Sequence, residues 1–309
     1  MWDDTARSIA HQVYAPDPEL YPFASHHFER SGLRMHYIDE GRGDPVVLVH
    51  GNPTWSLYYR ELARSLRSRF RVIAPDHIGC GLSDKPGDDR YVYRLRARID
   101  DLEALLEDLG VTSRVTLVVH DWGGAIGIGW AARHPERLRR LVILNTAAFP
   151  LPAGKPLPWQ LRVARDLRAV GWLVRGANAF ARVATHVACK SMSPQVRRAY
   201  LGPYDSWANR IAILRFVQDI PLGPGDDSWP DLLAVHAGLA KLRDVPALIC
   251  WGQRDFIFDA TFLEQWKREL PTAEILELPD AGHFVLEDAS PAIVARVEEF
   301  LDTHAIGGA

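Results

Sequence analysis

Cysteine is scarce in this 309-residue chain: Cys80, Cys189 and Cys250 are odd in number and far apart. That pattern supports no disulfide framework and has no zinc-ligand spacing, so a reducing cytoplasm suits it best. Cys250 stands in an apolar run and reads as a small buried residue. No run is long and apolar enough to span a bilayer. Met1 to Ala10 carry Asp3 and Asp4 and lack an apolar core, so no secretion signal is expected. Nor is there a marked excess of either charge. The net value of −3 gives no reason to expect nucleic acid or an acidic membrane as partner. Internal repeats and low-complexity segments are missing too. The excess of arginine over lysine reads as codon usage.

What is present is an ordinary globular composition, 47% hydrophobic, ample for one large domain with an insertion or for two modest ones. Short apolar runs alternate with helical patterns. Strands are expected over 45–49, 71–74, 115–119, 141–144, 247–251 and 274–278. Helices are expected over 58–66, 94–109, 124–133, 262–270 and 291–301. This alternation predicts an α/β fold, a mostly parallel sheet covered on both faces. Residues 28–38 suggest an antiparallel start, with Ser31-Gly32 as the turn. The alternation stops between about Ala148 and Leu242. Prolines 150, 152, 156 and 158 open that stretch, and helical patterns follow near 159–170, 171–184, 193–201 and 204–218. The simplest organisation is a core of 1–147 and 243–309 with a helical lid of 148–242 over the C-terminal edge of the sheet, where open α/β sheets bind ligands. Phe149, Leu157, Trp159, Leu161, Trp172, Leu173, Phe180, Ile213 and Phe216 are too many apolar groups for a solvent-facing insertion. They predict a narrow apolar pocket.

Four pieces carry the chemistry. Val115 to Val119 ends abruptly in His120-Asp121-Trp122-Gly123-Gly124, the layout of a nucleophile elbow with aspartate where serine usually stands. An aspartate nucleophile gives an ester at an alkyl carbon or an anhydride at an acyl carbon. His50-Gly51-Asn52-Pro53-Thr54-Trp55 follows an earlier strand, and Trp251-Gly252-Gln253-Arg254-Asp255 and Asp280-Ala281-Gly282-His283-Phe284 follow late ones. The order nucleophile, acid, histidine assigns Asp121 as nucleophile, Asp255 as the acid orienting an imidazole, and His283 as base or proton shuttle. Asn52 and the Trp122 indole N–H are donors suited to a leaving halide or carboxylate. No metal ligands and no cofactor are expected.

Other candidates have plainer explanations. Asp259 rivals Asp255 but sits less aptly from Gly252. Asn145 ends the strand before the lid, where it cannot serve as the acid. His26-His27 reads as a surface pair. Asp76 to Ser83 looks like a structural turn that borders the site, His120 should point away from it, and the charges of Asp100 to Asp108 fit a solvated helix face.

The stretches His50 to Thr54 and Val119 to Gly124 resemble the haloalkane dehalogenase branch of the α/β-hydrolase superfamily. Asn145 to Pro152, Lys155 to Gln160, Arg197 to Leu201, Pro203 to Trp207 and Arg215 to Leu222 resemble the β-lactone decarboxylases of bacterial long-chain olefin biosynthesis. The resemblance runs from about Tyr37 to Phe300. It implies an α/β-hydrolase fold and conversion of a cis-3,4-dialkyl β-lactone to a cis-alkene and carbon dioxide. It also implies a lipophilic small-molecule substrate and assembly with other enzymes of that pathway. Haloalkane hydrolysis is the runner-up. Epoxide hydrolysis, with Tyr200 or Tyr204 as acid, comes third, and a non-catalytic ligand-binding relative remains a fourth class.

Overall fold

The computed structural model describes residues 14–305, the Arg168 side chain excepted; the N-terminal stretch weighed as a secretion signal lies outside them. Eight strands form one sheet: β1 (His26–Arg30), β2 (Leu33–Glu40), β3 (Pro45–Val49), β4 (Arg71–Pro75), β5 (Val115–Asp121), β6 (Leu138–Thr146), β7 (Ala247–Gly252) and β8 (Glu274–Leu278). The order is β1-β2-β4-β3-β5-β6-β7-β8. β1 pairs antiparallel with β2 and β2 with β4; every later pairing is parallel. The expected hairpin is there. Ser31 and Gly32, both at positive φ, join β1 to β2, as two-residue hairpin turns require.

The period-two alternation of strands decides which core each residue enters. Val46, Leu48, Val118, Val142, Leu144, Leu248 and Cys250 face one side. There they meet α1 (Arg60–Leu66) through Leu62 and Leu66. Val47, Val49, Leu117, Val119, Leu141, Ile143, Ile249 and Trp251 face the other. That side is covered by α2 (Leu95–Asp108) and α3 (Trp122–Arg133). Each fully buried Val, Leu or Ile contributes roughly 1.5–3 kcal/mol, so two such layers hold the strand ends firmly in place.

Between β6 and β7 lie α4 (Trp159–Asp166), α5 (Arg168–Gly176), α6 (Ala179–Val187), α7 (Pro194–Leu201), α8 (Ile211–Gln218) and α9 (Trp229–Gly238). The breaks differ from those expected. Leu167 is extended and ends α4 early, and Asn178, left-handed at φ 52°, splits the expected 171–184 helix in two. Asparagine tolerates that conformation, and its amide donates to the Tyr204 carbonyl at 3.2 Å. The expected 204–218 helix starts only at Ile211. Before it, the buried Arg210 guanidinium bonds the carbonyls of Tyr204, Asp205, Arg175 and Gly176, consuming acceptors that a continuous helix would need. α9 is additional to the helices read from the sequence and packs on α3. After β7, α10 (Ala260–Glu269) joins the α2 and α3 side. α11 (Val285–Thr303) packs beside α1 and starts six residues earlier than expected, with a kink at Ala289 before Pro291.

Candidate active site

β5 is the middle of the sheet, flanked by β3 and β6, and Asp121 is its last residue. Asp121 has φ 51° and ψ −126°, a strained conformation that turns the chain straight into α3. Two glycines make this turn possible. A Cβ at Gly51 would overlap the Asp121 carboxylate, and one at Gly123 would overlap the Val49 carbonyl. The Asp121 side chain therefore stands over the C-terminal edge of the sheet and is only 7% exposed. Its Oδ1 accepts the Asn52 backbone N–H at 2.6 Å, and the Trp122 backbone N–H also donates to the carboxylate.

The loops after β7 and β8 bring the other two groups to this edge. His283 Nδ1 lies 2.8 Å from Asp255 Oδ2, and its Nε2 lies 3.6 Å from Asp121 Oδ2. Asp255 is locked by the backbone N–H groups of Ile257 and Phe258 on Oδ1 and by Asn145 Nδ2 on Oδ2 at 3.0 Å. Its bond to Nδ1 leaves Nε2 facing Asp121. Burial pushes the Asp121 carboxyl above its ordinary range, against the pull of His283 and the two N–H groups. Burial works the other way on His283, but the Asp255 and Asp121 charges outweigh it and raise the imidazole. Each charge pulls the other group towards its ionised form, but only for His283 does that pull exceed the cost of burial.

Over Asp121 opens a cavity of about 920 Å³, counting its mouth. Asn52, Asp121 and Trp122 form its floor, and Leu95, Phe149, Leu157, Leu161, Phe180, Leu232 and Phe262 are among its apolar walls. Asn52 Nδ2 donates to the Ile213 carbonyl at 3.2 Å, which fixes the amide orientation and leaves the second N–H unused. The Trp122 indole N–H has no protein acceptor among the described residues. Two donors therefore remain for an anion. Behind them Arg98 is fully buried, paired with Asp219 at 3.1 Å, with its guanidinium 3.7 Å from the Phe216 ring centre and 5.6 Å from that of Trp122.

Asp121, His283, Asp255, Asn52 and Trp122 are thus brought together. Asp259 is not: it caps α10 through the Thr261 N–H and pairs with Lys155. His120 stacks on Tyr58 and bonds the His283 carbonyl at 2.8 Å, while burial pushes its ring far towards neutral. Asp76 is a structural hub, accepting from Ser56, Leu82 and His36, with its carboxyl held at about 2 against burial by the His36 ring. His26 and His27 are exposed on edge strand β1. The Tyr200 hydroxyl is committed to Glu287 at 2.6 Å, and that of Tyr204 to the Gly81 N–H and the Thr54 carbonyl; neither residue lines the cavity. That removes the acid on which epoxide opening depended.

Two expectations need correction. Trp159, Trp172 and Leu173 are exposed and do not line the cavity, because the inserted helices have an outer as well as an inner face; Ile213 and Phe216 of α8 are buried but do not line it either. Asp101 is buried, bonded to the Tyr91 hydroxyl and paired with Arg30, so α2 is not solvated all along its charged side. The sequence reading also missed Asn145 as the clamp on Asp255, and Arg98 behind Trp122. Arg98 stands at helical spacing between Leu95 and Leu102, on the apolar face of α2, and that position was the available signal.

The alpha/beta hydrolase fold model matches residues 44–290. A cis-3-alkyl-4-alkyloxetan-2-one decarboxylase of Shewanella oneidensis is 54% identical, covering 91% of this chain and 89% of its own. One of Xanthomonas campestris is 48% identical, covering 89% and 94%. The crystal structure of haloalkane dehalogenase DbeA from Bradyrhizobium elkani superposes with a TM-score of 0.82 at 28% identity, covering 91% of this chain and 98% of that one.

Proposed function

This chain belongs to the α/β-hydrolase fold family, in the branch of the haloalkane dehalogenases and cis-3-alkyl-4-alkyloxetan-2-one decarboxylases, and we propose that it converts a cis-3,4-dialkyl β-lactone to a cis-alkene and carbon dioxide with Asp121 as nucleophile. The observation that carries the reading is the Asp121 carboxylate on a strained turn, beside two unused N–H donors, at the floor of an apolar cavity.

Asp121 attacks the ring carbon bonded to the lactone oxygen. The ring C–O bond breaks, that carbon inverts, and a carboxylate is released. Asn52 and Trp122 hold this anion as they would hold a halide. The bond between the carboxylate carbon and the ring then supplies the electrons of the new double bond. Carbon dioxide departs anti to Asp121, which takes back the electron pair of its ester bond. One inversion and one anti elimination give the cis-alkene, and no water is consumed. His283, whose imidazole the Asp255 and Asp121 charges raise above its ordinary value, faces Asp121 across 3.6 Å and stabilises it as it returns to the carboxylate. The helices from 148 to 242 act as the lid.

Haloalkane hydrolysis would use the same nucleophile and donors, with His283 activating water instead. Pure protein offered a cis-β-lactone should release alkene; bromide from a bromoalkane with no alkene from the lactone would reverse the assignment.

Two further results are expected. Trp122→Phe keeps the ring but deletes the N–H donor, so kcat should drop by roughly a hundredfold, about 3 kcal/mol of transition-state stabilisation. A rate equal to the parent's on both lactone and haloalkane would remove Trp122 from the anion site. In a series of lactones with lengthening arms, each buried CH₂ should add about 0.8 kcal/mol, roughly fourfold in kcat/KM, until the cavity is full. A flat profile, or preference for the shortest member, would contradict a pocket for two long alkyl arms.

A further inference from the structure

The inserted helices are apolar on two faces. Inward, Leu161 of α4 and Phe180 of α6 line the cavity. Outward, Trp159, Leu167, Trp172, Leu173, Val183 and Val187 are exposed, the two tryptophans by 71% and 70%. These outward groups share one layer. α5 packs against both α4 and α6, Trp172 and Leu173 are adjacent on α5, and Val183 and Val187 stand one turn apart on α6. A surface helix ordinarily needs only one apolar stripe; among the described residues the outer stripe is left largely uncovered, Trp172 meeting only the ring of Trp207, itself exposed, at 4.9 Å.

The charge pattern says what suits it. From Ala148 to Tyr200 the sequence has nine lysines and arginines and a single carboxylate, Asp166, although the whole chain carries −3. The whole-chain value hides a strongly basic segment in an otherwise acidic protein. Arg182 and Lys190, exposed beside Val183 and Val187, have no carboxylate partner among the described residues. Apolar tips interleaved with unpaired cations fit poorly into the core of a protein interface, which is depleted of charge. They match the headgroup boundary of an anionic bilayer, where tryptophan and leucine enter the acyl region and arginine and lysine meet phosphate. No helix among the described residues is long and apolar enough to cross a membrane, so the contact would be peripheral.

We propose that the outer face of α4, α5 and α6 docks on an anionic lipid surface. The docking stands on exposure and charge alone. Its consequence rests on the lactone reading: a dialkyl lactone dissolved in lipid would be separated from the cavity by the inserted helices alone, and the hydrocarbon product would return the same way.

The test is co-sedimentation of the full chain with vesicles, either phosphatidylcholine alone or phosphatidylcholine mixed equally with phosphatidylglycerol. The protein should pellet with the mixed vesicles and stay in solution with the neutral ones, and added salt should release it. Trp172→Ser with Leu173→Ser should lower partition onto mixed vesicles more than tenfold. Arg182→Glu with Lys190→Glu should do the same by an independent route. Both pairs should keep the parent's melting temperature and its vesicle-free rate on a short, soluble lactone. Partition onto neither vesicle, or equally onto both, overturns the proposal. So does a concentration-dependent dimer abolished by the serine pair in the absence of vesicle binding, because the face would then belong to a second copy. The readout needs no turnover, so failure of the lactone reading would leave it intact and its own failure would leave that reading intact.

Discussion

Asp121→Ala is expected to lose all measurable turnover, by roughly 10⁴-fold or more, as when a nucleophile acting in a concerted set is removed. The fold should survive, and the reason lies in the sign of the Asp121 shift. Burial raises its carboxyl above the ordinary value. A carboxyl raised on folding favours the folded state only at acid pH, and that contribution is lost as pH rises through the folded value. At neutral pH the buried carboxylate therefore opposes folding, and alanine relieves that cost. The melting temperature at neutral pH should be equal to or above the parent's. Near-parental alkene formation by this variant would end the case for Asp121 as nucleophile.

His283→Ala should separate two chemistries on one protein. Ester hydrolysis after halide displacement needs an activated water, and Nε2, 3.6 Å from Asp121, is the base in position to provide it. With a bromoalkane the variant should release one equivalent of bromide and stop, with an alkyl ester on Asp121 visible by intact-mass spectrometry. Decarboxylation returns the electron pair to Asp121 without water, so with a β-lactone the variant should slow by roughly 10²-fold, the loss of one charged stabiliser, and still turn over repeatedly. Sustained bromide release without an adduct would contradict the base. Complete arrest on the lactone would mean that the histidine takes part in a step the water-free route lacks.

The legible parts of the site share one feature: each follows a strand. Asn52, Asp255 and His283 stand just beyond β3, β7 and β8, and Asp121 is the last residue of β5, so apolar runs followed by glycine-containing turns were enough to find them. Asn145 was visible only as a residue unable to be the acid. Its use as a clamp depends on β6 lying beside β7, a neighbour relation that no local pattern encodes. Arg98 was missed because an arginine among leucines does not announce a buried carboxylate such as Asp219, 121 residues away. The insertion was legible as helical but not in its breaks, since Arg210 and Asn178 act through carbonyls distant in the chain.

The layering, the chain order of Asp121, Asp255 and His283 beyond their strands, and the helical character of the insertion were all legible in the sequence alone. These follow from side-chain period and from turn chemistry, which are local. Only the tertiary structure decided which apolar residues of the insertion line the cavity and which face out. A helical layer has two sides, and composition cannot say which side a tryptophan takes. Leu161 and Phe180 went inward and Trp159 and Trp172 outward because the sheet edge and cavity occupy only one side of that layer.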